Sequence, residues 1–313
     1  MKTYIAVDIG GTQLRAACYP ADSKTPLKLN KISTQHPSAT PLERLMELIT
    51  SVWPADGTVE AISVAIPGPV DPYAGIVRTT PNIPAWENLP LQKLVEGKFN
   101  VCVLLGNDAN LAALAEWKYG AGVGHHDLIY MTISTGIGGG VIVGDRLLLG
   151  VHGLGAELGH VTVIPDGPVC SCGKRGHLEA VASGPGIARW TEEQLQNGTP
   201  SMLKPGQGLT AKMIGEAAQA GDGLAIQAFA RAGTLIGHTI ADYLHIFNPS
   251  LLIIGGGVSN TGDLLLEPMR KAIREGVCTP SFLEDFRLVT AVLRDEVGLI
   301  GALVLAQMSA AAG

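Results

Sequence analysis

The chain has 313 residues, of which 46% are hydrophobic and 16% charged, with a net charge of −6 and five cysteines. That composition describes a globular α/β-sized chain with room for two domains and excludes an intrinsically disordered one. An acidic balance without any Lys/Arg cluster argues against a nucleic-acid groove. No run approaches the roughly 20 apolar residues of a membrane helix, and Tyr4–Val7, broken at once by Asp8, is too short for a signal peptide.

Strand-like and helix-like runs alternate along the chain, the pattern of an α/β fold. Ile5–Val7 and Leu14–Cys18 read as strands joined by a Gly-Gly turn, and Pro41–Val52 has apolar residues at helical spacing. Ala61–Ile66 reads as a buried strand closed by Pro67-Gly68-Pro69, Val101–Leu105 as another, and Ala109–Tyr119 as a helix. The pattern then restarts, with strand Leu128–Ser134, a glycine turn over Gly136–Gly140 and strand Val141–Val143. This repeats the opening layout and suggests an internal duplication, with one α/β domain over 1–115 and a second over 116–298. A helical region over Asp222–Phe247, a strand at Leu251–Ile254, Gly255-Gly256-Gly257 and a helix from Asp263 follow. The last helix, at 299–310, is long enough to pack back on the first domain.

Two glycine turns carry the chemistry. In Asp8-Ile9-Gly10-Gly11-Thr12 the glycines let backbone N–H groups approach a phosphate, Thr12 adds a hydroxyl, and Asp8 suits a hydrated Mg²⁺. The same residues would also suit a plain hairpin. Ser134-Thr135-Gly136-Ile137-Gly138-Gly139-Gly140 is followed by a strand rather than a helix, and no Gly-Lys-Ser/Thr is present. It is therefore neither a dinucleotide fingerprint nor a Walker loop. Two matching turns, one per repeat, can close on one phosphate chain. Gly256 and Gly257 end a strand where they would admit a purine ring or a close helix crossing.

Cys18, Cys102 and Cys278 lie far apart in apolar runs and read as reduced, buried thiols rather than a disulfide framework.

The Asp8–Thr12 turn, the Thr135–Gly140 loop, Glu157-x-x-His160 and Cys170-x-Cys172 together resemble the ROK family (repressors, open reading frames, kinases), with family-like segments from residue 4 to about 301. The resemblance implies an actin-like ATPase fold, two ribonuclease-H-like domains holding ATP and a hexose in the cleft between them. It makes Asn107-Asp108-Ala109-Asn110 the catalytic segment, with Asp108 as the base that accepts the sugar hydroxyl's proton. Asp108 would otherwise read as a simple helix cap. Its carboxylate accepts the proton late and so needs no strongly raised pKa, and the helix N-terminus should favour its ionised form. The sugar contacts implied are Gly68, Asn82, Asn107, Glu157, His160 and Glu179. The nucleotide contacts are Asp8, Gly10, Gly11, Thr12, Thr135, Gly136, Gly256 and Gly257.

The family's Cys-x-Cys-Gly-x-x-Gly-Cys-x-Glu reads here as Cys170-Ser171-Cys172-Gly173-Lys174-Arg175-Gly176-His177-Leu178-Glu179, with His177 in place of the third cysteine. Zinc accepts imidazole nitrogen as well as thiolate, so His160, Cys170, Cys172 and His177 make a candidate structural Zn²⁺ site. The expected protein is a cytoplasmic, homodimeric, ATP-dependent glucokinase without nucleic-acid or membrane partners. Kinases of N-acetylglucosamine, N-acetylmannosamine, fructose, mannose or allose are the alternatives. A sugar-responsive repressor is disfavoured because Asp8 leaves no room for a preceding helix-turn-helix, and a non-catalytic sugar-binding or assembly module would leave Asp108 idle.

Overall fold

The protein is described from a computed structural model covering residues 1–83 and 85–312. The first half contains strands β1 (Lys2–Ile9), β2 (Gln13–Pro20) and β3 (Lys28–Ser33), helix α1 (Pro41–Val52), strands β4 (Thr58–Ile66), β5 (Val70–Asp71) and β6 (Ile76–Val77), helix α2 (Leu91–Phe99), strand β7 (Cys102–Asn107) and helix α3 (Asp108–Tyr119). The rest contains β8 (Leu128–Ile133), β9 (Ile137–Val143), β10 (Arg146–Leu147), α4 (Leu178–Ala182), α5 (Gly184–Gln196), α6 (Ala211–Gln219), α7 (Gly223–Phe247), β11 (Leu251–Gly255), α8 (Asp263–Gly276), β12 (Arg287–Thr290) and α9 (Val297–Ala312).

The two main sheets have the orders β3-β2-β1-β4-β7 and β10-β9-β8-β11-β12. In each, an antiparallel hairpin (β1–β2 or β8–β9) leads into two further strands running parallel to its first strand. The topology is thus duplicated even though only glycines match between the two hairpins.

The central strands β1, β4, β8 and β11 are buried on both faces, as expected of strands without polar alternation, while the edge strands β3, β10 and β12 are exposed or half-buried. Along β1, Ile5, Val7 and Ile9 face a core with α1 residues Leu45, Leu48 and Ile49, while Tyr4 and Ala6 face the opposite way. Along β8, Ile129, Met131 and Ile133 join a core with α7 residues Phe229, Ile236 and Ile240. Between the sheets lies a third core in which α3 and α9 meet Ala61 and Ala65 of one sheet and Leu128, Tyr130 and Ile253 of the other. Helix α9 packs on β1, β4 and α3. Local signals agree with these elements. Thr40 and Glu43 form a reciprocal capping box before α1, with the Glu43 N–H to Thr40 Oγ1 at 3.2 Å and the Thr40 N–H to Glu43 Oε2 at 2.7 Å.

Several sequence expectations are corrected. Gly138, Gly139 and Gly140 are not a turn but belong to β9, and only Ser134–Gly136 turn the chain. Their lack of side chains serves packing, because a Cβ on Gly140 would lie 2.6 Å from Ala113 Cβ and one on Gly138 would lie 3.1 Å from Ala109 Cβ, both on α3. Cys18 is buried, but Cys102 and Cys278 are exposed. Strands β3 and β12 and helices α2, α4, α5 and α6 lie outside the elements read from the sequence and emerge in the structure.

Replacing Gly140 by Ala should force α3 away from β9. Overpacking of this kind typically costs about 1–3 kcal/mol. G140A is therefore expected to lower the thermal unfolding midpoint by several degrees in calorimetry, and an unchanged midpoint would show the contact to be slack.

Candidate active site between the two sheets

The site is assembled at the carboxyl ends of β1, β4 and β7, where chain direction changes and backbone groups are available. Asn107 ends β7 and caps α3, its Oδ1 accepting the N–H groups of Ala109 and Asn110 at 3.0 and 3.1 Å. Its Nδ2 donates to the Gly68 carbonyl at 3.2 Å, which ties the loop after β4 to the start of α3. Asp108 is the first residue of α3 and half-buried, its Oδ1 accepting its neighbour's Ala109 N–H at 2.8 Å. Burial pushes its carboxyl up to about 6, opposed by the Ala109 N–H and reinforced by the charges of Asp8 and Glu157. The helix N-terminus therefore does not hold this carboxyl at its ordinary value, because desolvation outweighs it.

The first hairpin turn is closed by the Gly10 N–H to Gln13 carbonyl bond at 2.8 Å, and Thr34 Oγ1 donates to the Gly10 carbonyl at 2.6 Å. Asn82 lies directly over this turn, since a Cβ on Gly11 would sit 2.5 Å from that of Asn82. Asp8 pairs with Arg15, whose Nε and Nη2 both reach Oδ2, the former at 3.0 Å. Thr12 is exposed at the end of the turn.

In the second hairpin the Ser134 N–H meets the Gly136 carbonyl at 2.8 Å. Thr135 and Gly257 line a cavity of about 780 Å³ that runs between α5, α6 and the turn before α8. Gly257 faces open space, whereas a Cβ on Gly256 would meet the Ile133 backbone. Gly256 is explained by that strand crossing alone.

Glu157 and His160 flank a single 3₁₀ turn, with His160 Nε2 3.9 Å from Glu157 Oε2. Ala156, just before them, holds a left-handed φ of +64°, an uncommon state for a residue with a Cβ. The other ring nitrogen, His160 Nδ1, lies 3.3 Å from His177 Nδ1 and 3.6 Å from Cys170 Sγ, and Cys172 Sγ lies 3.3 Å from His177 Nδ1. All four donor atoms fall within 4.8 Å of one another. Tetrahedral zinc with bonds of about 2.0–2.3 Å separates its ligands by about 3.3–3.8 Å, so the donor set fits the metal by type and by spacing. Glu179, at the start of α4, joins this loop to the second hairpin. Its Oε2 accepts the Ile137 N–H at 3.1 Å, and its Oε1 accepts from Ser171 Oγ at 2.6 Å and from the Cys170 thiol at 3.2 Å.

Sequence reasoning missed most of the cavity wall, including Lys212, Gln219, Asn260 and Thr261. These residues stand on ordinary amphipathic helices and turns, so no local motif marks them.

Comparison with known proteins agrees with this geometry. The ROK family pattern matches residues 4–309. A glucokinase of Thermotoga maritima is 38% identical over 95% of this chain and 95% of its own. A ROK family glucokinase from Streptomyces griseus, solved in complex with glucose and AMPPNP, is 35% identical with a TM-score of 0.79, covering 98% of this chain and 99% of its own. The ROK hexokinase of Thermus thermophilus is 33% identical with a TM-score of 0.83, covering 99% and 100%.

The raised Asp108 carboxyl has a consequence for stability. An acid whose folded pKa of about 6 exceeds its ordinary 3.8 destabilises the fold wherever it is ionised, fully above about 6 and not at all below 3.8. At about 1.4 kcal/mol per unit the penalty is at most about 3 kcal/mol. Asp108→Asn should therefore raise the unfolding midpoint at pH 8, and the gain should shrink as pH falls from 6 toward 4. A gain independent of pH would refute the assignment.

Proposed function

The chain belongs to the ROK family, and from that premise we propose that it is an ATP-dependent glucokinase that phosphorylates the 6-hydroxyl of glucose with Asp108 as catalytic base. The observation that carries this reading is the Asp108 carboxylate itself, half-buried at the start of α3 and within electrostatic reach of both Asp8 and Glu157.

Glucose lies against Gly68, Asn82 and Asn107 on one side and Glu157, His160 and Glu179 on the other. Carboxylates, amides and an imidazole suit hydroxyls that both donate and accept. The nucleoside occupies the cavity beside Gly257, and the phosphate tail runs between the two hairpin turns at Gly10, Gly11 and Thr12 and at Thr135 and Gly136. Arg15 engages only Oδ2 of Asp8, which leaves Oδ1 to meet a water of hydrated Mg²⁺. When bound, that cation would supply charge neutralisation for the nucleotide phosphates.

In the transfer step the sugar O6 bonds to the γ-phosphorus as the bond to the bridging oxygen of ADP breaks. Asp108 accepts the O6 proton and later returns it to solvent. Because phosphoryl transfer is loose, the site contributes alignment and electrostatics more than basicity. A carboxyl at about 6 is ionised at neutral pH and still able to take the proton.

Zn²⁺ bound by His160, Cys170, Cys172 and His177 would act structurally, since four protein ligands leave no open position. Cys170 would then bind as thiolate and no longer donate to Glu179 Oε1, leaving that oxygen, still held by Ser171 Oγ, able to accept from a sugar hydroxyl. The same proposal describes a cytoplasmic enzyme working as a homodimer.

ADP release measured against a panel of hexoses and N-acetylhexosamines tests the reading. Glucose should give the highest kcat/KM, and turnover that no sugar stimulates would remove it. Asp108→Asn should lower kcat by about 10²–10⁴-fold with glucose affinity retained, and kcat/KM of the parent should fall as pH drops through about 6. Metal analysis should find one zinc per chain, lost in Cys172→Ala together with a raised KM for glucose and a smaller change for ATP. A zinc-free protein of full activity would dismiss the metal site.

A further inference from the structure

Glu116 occupies the last turn of α3 and is wholly enclosed, with 0% exposure, yet among the described residues it pairs with no Lys, Arg or His. Its charge is met by backbone alone. Oε1 accepts the N–H groups of Val292 and Leu293 at 2.9 and 2.8 Å, and Oε2 accepts that of Ala121 at 2.8 Å. The Glu116 carbonyl takes a further N–H from Gly122 at 2.8 Å.

These partners share one property. Ala121 and Gly122 begin the stretch from α3 to β8, by which the chain passes from the first sheet to the second. Val292 and Leu293 lie in the stretch from β12 to α9, by which it returns. One carboxylate therefore fastens both crossings to one helix. A carboxylate suits this task because both its oxygens only accept, whereas an amide would turn an NH₂ group toward one of the two crossings. A buried charge without this set of donors would be strongly disfavoured.

The other end of α3 is Asp108, eight residues and about 12 Å away along the axis. Helix α3 also lies flush on β9 of the second sheet at Gly138 and Gly140, the strand that leaves the Thr135–Gly136 turn. Any rotation of α3 about its Glu116 end would move Asp108 relative to that turn.

We propose that Glu116 is a positioning residue for phosphoryl transfer, pinning α3 to both crossings so that Asp108 meets the sugar hydroxyl in register with the phosphate held by the second hairpin. This rests on Asp108 being the base. Glu116 touches neither substrate nor nucleotide, so its effect should appear in kcat and not in sugar affinity.

The test uses the zinc-loaded full chain carrying Glu116→Gln, and a second variant, Leu293→Pro, which keeps the carboxylate but deletes one donor. Leu293 has φ of −80°, close to what a proline ring imposes. For each, kcat with saturating glucose and ATP is compared with glucose Kd from calorimetry without nucleotide, and X-ray scattering gives the radius of gyration of the glucose-bound protein. We expect kcat to fall at least tenfold with Kd within twofold, and the radius to increase. A kcat within twofold of the parent, whatever the thermal midpoint, or a fall matched by an equal loss of glucose affinity, overturns the proposal. If Glu116→Gln does not fold, Leu293→Pro decides by the same criteria. A parent without sugar-dependent turnover would fail the Asp108 reading instead, and scattering would still judge Glu116.

Discussion

How closely α3 can lie on β9 is the constraint from which the rest of the molecule follows. The two sheets meet through α3 and α9, and every apolar residue in the middle core depends on that contact. Gly138 and Gly140 present bare backbone to Ala109 and Ala113, so helix and strand approach more tightly than side chains of any size would allow. The closeness has a chemical result. It brings the N-terminus of a helix rooted in the first sheet against the strand leaving the second glycine turn, and the Asp108 carboxylate stands where both halves contribute to its surroundings. The glycines at 138 and 140 are thus part of the site without facing it.

Electrostatics then has to be managed inside a cleft holding several acids. Desolvation weighs most on the Asp108 carboxyl, and the charges of Asp8 and Glu157 add to it. The protein answers each acid differently. Asp8 receives Arg15, Glu157 sits beside His160, and Asp108 receives two neutral donors, the Ala109 N–H and the Asn107 amide. Asp108, the one of the three without a cationic neighbour among these contacts, is the acid that burial pushes up to about 6, a perturbation of the kind that clusters at functional sites. Such a cleft also favours cations, consistent with a magnesium-bound nucleotide as the donor.

Much of this was legible in the residues, for reasons that differ from place to place. Asp8–Thr12 offers a phosphate turn by its residue types, whereas Asn107-Asp108 and the Cys170–Glu179 segment stand out through the resemblance to the ROK family, Asp108 by itself reading as a helix cap. Gly256 and Gly257 look alike in sequence, yet one is consumed by the Ile133 crossing and the other faces the cavity, a distinction made by a strand more than a hundred residues away. Cys102 was misjudged because its apolar neighbours face inward from β7 while it opens the strand at the surface. Glu116 gave no signal at all. It sits in an Ala- and Leu-rich helical run, and two of its three carboxylate partners lie 176 and 177 residues further along the chain. Local pattern reports what a segment does with its neighbours and is silent on carboxylates whose partners are distant backbone.

The two nitrogens of His160 carry a further consequence. With Nδ1 turned toward His177 and Cys170, a metal held there would confine the ring's proton to Nε2, the nitrogen nearest Glu157. Imidazole and carboxylate then form a polar pair of fixed sense, one giving a proton and the other receiving one. An alcohol lying between them can satisfy both partners at once. A fluorine at that carbon could take the imidazole's proton but would leave the carboxylate without one, and a bare methylene would satisfy neither. In that state the ring's orientation would make the pair sensitive to the direction of a hydrogen bond as well as to the presence of an oxygen.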